Sequence, residues 1–110
     1  MYVGFNHTGV DLPFIRRRAW ANGLVVPRRP SKVKPWDDCT LDLMLVWAQD
    51  GDGRISLDKL CRVLGVPSPK AGGFSGDDVW PAYQRGDLDT IKRYALADVV
   101  ATRECYRRMR

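Results

Sequence analysis

The sequence is poor in the groups from which many catalytic and structural sites are built. Of its 110 residues one is histidine, His7, and three are cysteine, Cys39, Cys61 and Cys105. A lone histidine cannot form a multi-histidine metal centre, and His7 has no matching nucleophile pattern to serve as a base. An odd number of cysteines with no close pair excludes a disulfide framework and a zinc knuckle. That usage is the one expected of a reducing, cytoplasmic setting. Long apolar runs are missing too. Stretches such as Leu43 to Ala48 fall far short of the roughly 20 residues needed to cross a bilayer, so no membrane partner is expected. Met1 is followed by Tyr-Val-Gly-Phe-Asn and not by a basic segment with an apolar core, so no signal peptide is expected.

What the chain does have is ordinary for one small globular domain: 45% hydrophobic and 28% charged residues. That apolar content is too high for wholesale disorder. Lys and Arg number 18 against 13 Asp and Glu, a net charge of +5, which tilts the expectation toward a polyanionic partner without naming one.

Periodicity and punctuation sketch the elements. Tyr2 to Asn6 reads as the end of a buried strand running into polar turn residues. Leu12, Phe14, Ile15, Ala19 and Trp20 recur at helical spacing, with Pro13 in the first turn and Asn22-Gly23 as a stop, which predicts a helix over 12–21. Leu24-Val25-Val26 suggests a short strand. Pro27, Pro30 and Pro35, interleaved with Arg28, Arg29, Lys32 and Lys34, mark an exposed basic loop. Asp42 is placed to cap a short helix carrying Met44, Leu45 and Trp47, and a polar turn with two glycines follows over 49–54. Ser56 is a good N-cap for Leu57, Leu60, Cys61 and Leu64, with Gly65 as the stop and Pro67 beyond it. Residues 66–76 read as loop, 77–84 as a short helix ended by Gly86, and 88–109 as the longest helix, capped by Asp87. No internal repeat is visible.

The last helix carries an anomaly. At about 100° per residue, Leu88, Ile91, Ala95, Val99, Thr102, Tyr106 and Met109 make one apolar arc, with Lys92, Arg93, Arg103, Glu104 and Arg107 outside it. Asp98 falls inside that arc, with Tyr94 one turn before it on the same face. A carboxylate there is costly unless paired, hydrogen-bonded or bound to a cation. Two readings stand at this point, a buried Asp satisfied by a neighbouring loop and a functional carboxylate. Asp11 poses the same choice. It opens the first helix after Asn6-His7-Thr8-Gly9, where an N-cap is the commonest role for an aspartate.

Taken together these segments resemble a known family. GFNHTGVDLPFIRRRA resembles the second motif of DEDD-type 3′-to-5′ exonucleases, above all the proofreading domains of family-B DNA polymerases and a related family of predicted exonucleases. Its Asn6, Val10 and Asp11 match that motif's asparagine, apolar residue and aspartate. RYALADVVATRECYRRM resembles the third motif, Tyr-x-x-x-Asp on the final helix, in the tyrosine-type branch, through Tyr94 and Asp98. ISLDKLCRVLGV resembles the segment joining the two motifs, and LDLM around Asp42 lies at the intermediate position.

The resemblance implies an α/β fold, the C-terminal portion of an RNase H-like exonuclease domain, helix-rich with one or two strands. It implies phosphodiester hydrolysis on nucleic acid, on single-stranded DNA 3′ ends in particular, with four carboxylates binding two Mg²⁺ or Mn²⁺ ions about 4 Å apart. Carried over by motif, Asp11 and Asp98 are metal carboxylates, Tyr94 orients the attacking water, and Asn6 positions substrate. The first motif, Asp-x-Glu, has no counterpart, since no such string occurs in the sequence. Residues 1–110 are therefore expected to be the second- and third-motif part of an exonuclease domain, completed by a missing N-terminal half or by self-association. The alternative expectation is a catalytically inactive, nuclease-derived module that binds nucleic acid or protein.

Other signals weigh less. DGDGRIS resembles part of a calcium-binding loop, but that register puts Ala48 and Lys59 at the two end ligands, so a turn is the better reading. Arg16, Arg17 and Arg18 occupy successive helical positions and cannot share a face. Arg28, Arg29, Lys32 and Lys34 are candidate phosphate contacts, with Trp36 available to stack on a base. The cysteines read as small core residues.

Overall fold

The computed structural model describes residues 1–26, 40–49 and 51–110. By internal contacts the chain divides into two units, Met1–Arg54 and Ile55–Arg110.

The first unit is built on a parallel strand pair. Strand β1, Tyr2–Gly4, lies beside β2, Thr40–Asp42, with Tyr2 opposite Thr40, Val3 opposite Leu41 and Gly4 opposite Asp42. Parallel strands require a crossover connection, and helix α1, Asp11–Ala21, lies within it. The expected buried strand over Tyr2–Asn6 is shorter and more open than its sequence suggests. Tyr2 is 64% exposed, because among the described residues β1 has one neighbouring strand and not two. β2 has no visible sequence signature, yet it begins the best buried stretch of the unit: Thr40 and Asp42 of β2 and the Leu43 that follows are each 1% exposed. Asp42 then caps helix α2, Leu43–Ala48, as expected, accepting the Met44 N–H at 3.2 Å.

Two expectations for this unit are corrected. Asp11 is not the N-cap of α1. Val10 holds that position without a side-chain cap bond, and its carbonyl accepts the Phe14 N–H at 3.0 Å, which makes Asp11 the first helical residue. Leu24-Val25-Val26 forms no strand, and Val25 stands 97% exposed. α1 itself buries none of its residues.

The second unit carries most of the buried apolar residues. Helix α3, Leu57–Leu64, starts at Ser56, whose hydroxyl accepts the Lys59 N–H at 3.2 Å, and stops at Gly65 in the left-handed region at φ 66°. A side chain there would be strained, so glycine is the natural stop. Loop 66–76 includes a 3₁₀ turn, Pro69–Gly72, and a second, Gly76–Asp78, leads into helix α4, Val79–Gln84. The longest helix, α5, spans Leu88–Met109 and is capped by Asp87, which accepts the Thr90 N–H. Leu60 and Cys61 of α3, Val66, Ala82 of α4, and Ala101 and Cys105 of α5 are all buried. The Cys61 and Cys105 sulfurs meet at 3.7 Å as free thiols. Arg108 ties the end of α3 to α5 by donating to the Leu64 carbonyl at 2.8 Å, one of the otherwise orphaned acceptors of a helix C-terminus.

The buried face of α5 is rotated from the arc expected from residue type. Leu88 and Val99 are 58% and 64% exposed, and Ala95 is exposed as well. The inward stripe runs instead through Ile91, Tyr94, Asp98, Ala101 and Cys105. Spacings of three and four residues keep these on one side. The rotation follows from what α5 packs against, since Ala101 and Cys105 are small enough for α3 to approach closely. Asp98, expected inside the apolar arc, lies on this inward stripe between Tyr94 and Ala101.

Among the described residues, no helix is long and apolar enough to cross a membrane.

Candidate active site

Asp98 and Tyr94 stand together on the inward stripe of α5, four residues and about one turn apart. Asp98 is half-buried and makes no hydrogen bond or ion pair among the described residues. Burial pushes its carboxyl above the ordinary aspartate range, with partial relief from the Lys70 ammonium. The reading in which a neighbouring loop satisfies this carboxylate by hydrogen bonds is not what the described residues show. Tyr94 packs its ring against Phe74, with centroids 5.2 Å apart at 60°. Its phenol is pushed up by burial first, then by the Asp98 and Asp78 carboxylates. It therefore keeps its proton near neutrality and can act as a hydroxyl donor, not as a phenolate base.

Phe74 and Asp78 had no distinguishing sequence signal beyond one aromatic residue among glycines. Beside them lies a surface cleft of about 270 Å³ lined by Gly72, Gly73, Phe74, Asp78, Pro81 and Arg85.

In the first unit, Asp11 projects from the first turn of α1. It is exposed and has no hydrogen-bond or ion-pair partner among the described residues. Anionic groups in a first helical turn are favoured by the helix dipole, so its place is tolerated without a partner. Asn6 precedes it in a turn held in the left-handed region, at φ 53°, which asparagine enters more readily than most residues. Its backbone N–H donates to Asp42 Oδ1 at 2.7 Å, and its side-chain oxygen lies over Gly9, where an added Cβ would sit 3.2 Å away.

The structure thus brings Tyr94 and Asp98 together in one unit, and Asn6 and Asp11 onto one turn and helix start in the other. Arg28, Arg29, Lys32, Lys34 and Trp36 lie outside the described residues. Among the described residues no three His, Cys, Asp or Glu side chains gather as a metal site would need. Glu104, the single glutamate of the sequence, is engaged with Arg107 at 2.9 Å and Arg103 at 3.2 Å. As hard-oxygen donors without hydrogen-bond or ion-pair partners among the described residues, Asp11 and Asp98 each suit Mg²⁺ or Mn²⁺, but the described residues do not form a complete ion site.

No curated protein and no solved structure matches the sequence. A family model described as a predicted 3′-5′ exonuclease related to the exonuclease domain of PolB does match, over residues 1–110. The match takes in the Asn6 to Asp11 turn, the α3 segment and the Tyr94 to Asp98 pair in one span, and the chain belongs to this family of predicted 3′-5′ exonucleases.

Proposed function

We propose that these residues form the second- and third-motif part of an RNase H-like 3′-to-5′ exonuclease domain acting on nucleic acid, with single-stranded DNA 3′ ends as the substrate class. Asp98 carries the reading. A half-buried carboxylate at the centre of an apolar stripe, with no hydrogen-bond or ion-pair partner among the described residues, is costly for the fold, and a cation bound in use offsets that cost. Tyr94, protonated and one turn away, is suited to orient a water by accepting from it or donating to it. Asp11 supplies a second carboxylate, one with no partner among the described residues, and Asn6 positions substrate.

Divalent ions such as Mg²⁺ would supply charge neutralisation at the scissile phosphate and activation of water. In this reading the remaining carboxylates come from polypeptide outside these 110 residues, because the sequence has no Asp-x-Glu and its glutamate is engaged. The basic segment with Arg28, Arg29, Lys32 and Lys34 would follow the phosphate backbone, with Trp36 stacking on a base.

The test is shortening of a 5′-labelled single-stranded oligonucleotide in Mg²⁺, with the chain alone and with an Asp-x-Glu segment of the family added. Activity that appears in either mixture and falls at least about a hundredfold in Asp98→Ala supports the assignment. Activity unchanged in that variant sinks it. A second reading rests on the net charge of +5: a non-cleaving nucleic-acid-binding module. It predicts salt-sensitive binding of the same oligonucleotide with no cleavage in either mixture.

A further inference from the structure

Asp42 does more than cap α2. Its carboxylate is 1% exposed and is surrounded by donors from two directions. Oδ1 accepts the Asn6 N–H at 2.7 Å and the Met44 N–H at 3.2 Å. Oδ2 accepts the Thr8 hydroxyl at 2.7 Å and the Thr8 N–H at 3.1 Å. His7 is wedged into the same cluster: Nε2 shares a hydrogen bond with Thr40 Oγ1 at 2.6 Å, and Nδ1 lies 3.5 Å from Asp42 Oδ2. The His7 ring lies so close over β1 that a Cβ on Gly4 would stand 2.6 Å from it. Gly4 sits opposite Asp42 in the strand register, so glycine is what lets the ring fill that place.

Four donors converge on two oxygens, and both oxygens must accept. An asparagine of the same shape would turn an NH₂ group either toward the Asn6 and Met44 N–H groups or toward the Thr8 N–H, losing at least one bond and setting donor against donor.

The clamp reaches the candidate site through the backbone. Asn6 is held at φ 53°, a conformation uncommon for a residue with a side chain. The bonds of its own N–H and of Thr8 to Asp42 span that strained position. The next link is the His7 carbonyl, which accepts the Leu12 N–H at 2.9 Å. Asp42 therefore fixes the turn, the turn fixes the start of α1, and the first residue of α1 is Asp11. We infer that Asp42 is a positioning residue: its buried carboxylate sets the conformation of the turn from Asn6 to Val10 and through it the placement of Asn6 and Asp11. The functional half of this inference rests on the proposed roles of Asn6 and Asp11. The conformational half does not.

The experiment compares the native chain with Asp42→Asn, Thr8→Val and Thr8→Ser by amide hydrogen exchange and by Mn²⁺-induced broadening of NMR signals. In Asp42→Asn, exchange at Leu12 and Phe14, whose N–H groups bond to His7 and Val10 and not to Asp42, should accelerate at least about tenfold, while α3 and α5 amides keep their native rates and show that the chain still folds. Thr8→Val removes the hydroxyl donor alone and should give a smaller acceleration at the same amides. Thr8→Ser keeps the donor and should restore native rates. Unchanged Leu12 and Phe14 exchange in Asp42→Asn, with an effect confined to Met44, would overturn the inference and leave Asp42 a cap of α2. For the site, Mn²⁺ should broaden signals around Asp11 in the native chain, with the midpoint moved at least about fivefold higher in Asp42→Asn and not in Thr8→Ser. Equal midpoints would overturn the positioning of Asp11. Loss of Mn²⁺ broadening in the native chain itself would count against Asp11 as a metal ligand, and the exchange rates would still decide the clamp.

Discussion

Asp98 shows how much a single residue can announce and how much its surroundings add. An aspartate among apolar positions of a long helix stands out in the sequence alone, because burying a carboxylate is costly at any site. The sequence did not indicate that the carboxylate lies at the centre of the buried stripe, since that depends on which face α3 covers. The consequence is testable through pH. Burial raises the folded-state value of Asp98, so the folded chain holds this proton more tightly than the unfolded chain does. Stability from the neutral form is therefore fully present below the ordinary aspartate value and is lost as pH rises through the raised one. Asp98→Asn, which mimics the neutral form, should match the native chain in urea unfolding near about pH 3 and exceed it near about pH 7. A variant less stable than native at the higher pH would mean that the ionised carboxylate is satisfied by a partner. The same substitution should abolish any Mg²⁺-dependent cleavage, so stability and activity would move in opposite directions, as is common at functional sites.

At the scale of elements, legibility follows how local the determinants are. α3 begins and ends, and α5 begins, where their cap residues predict, because Ser56, Gly65 and Asp87 act on backbone groups within four residues of themselves. Ser56→Ala should accordingly cost about 1 kcal/mol, seen as a lowered urea midpoint for α3. β2 was illegible for the opposite reason. Thr40-Leu41-Asp42 is too short for an alternation to register, and it is a strand through its pairing with Tyr2–Gly4. Leu24 to Val26 has strand-forming residues and forms no strand, since β propensity expresses the surroundings more than the residue. The face of α5 belongs with these non-local features. Its contact with α3 predicts a chemical property: burial, then the neighbouring Cys105 thiol, pushes Cys61 up to about 12, and burial pushes Cys105 up as well. Thiolate is the reactive form, so iodoacetamide near neutral pH should leave both cysteines unmodified in the folded chain and label both in urea, read by mass spectrometry of the peptides. Rapid native labelling of either would show that α3 and α5 part readily.

Across the whole molecule the two units are unequally supported, and the candidate carboxylates are divided between them. The second unit has a core from three helices, whereas α1, which carries Asp11, buries none of its residues and exposes Phe14, Ile15 and Trp20 by 60% or more. Local opening free energies range from near zero for poorly packed elements to the global value for core helices. Amide exchange should therefore be slowest in α3 and α5 around Cys61 and Cys105, and at least about a hundredfold faster along α1. A ligand that binds the folded form stabilises what it touches by mass action, and α1 has the most protection to gain. If Asp11 serves nucleic-acid hydrolysis, adding Mn²⁺ with a single-stranded oligonucleotide should slow exchange in the first turn of α1, leave the α3 and α5 core unchanged, and lose the effect in Asp11→Asn. Slowing that persists in Asp11→Asn would assign the contact to other groups of the first unit, and slowing confined to the second unit would remove Asp11 from the site.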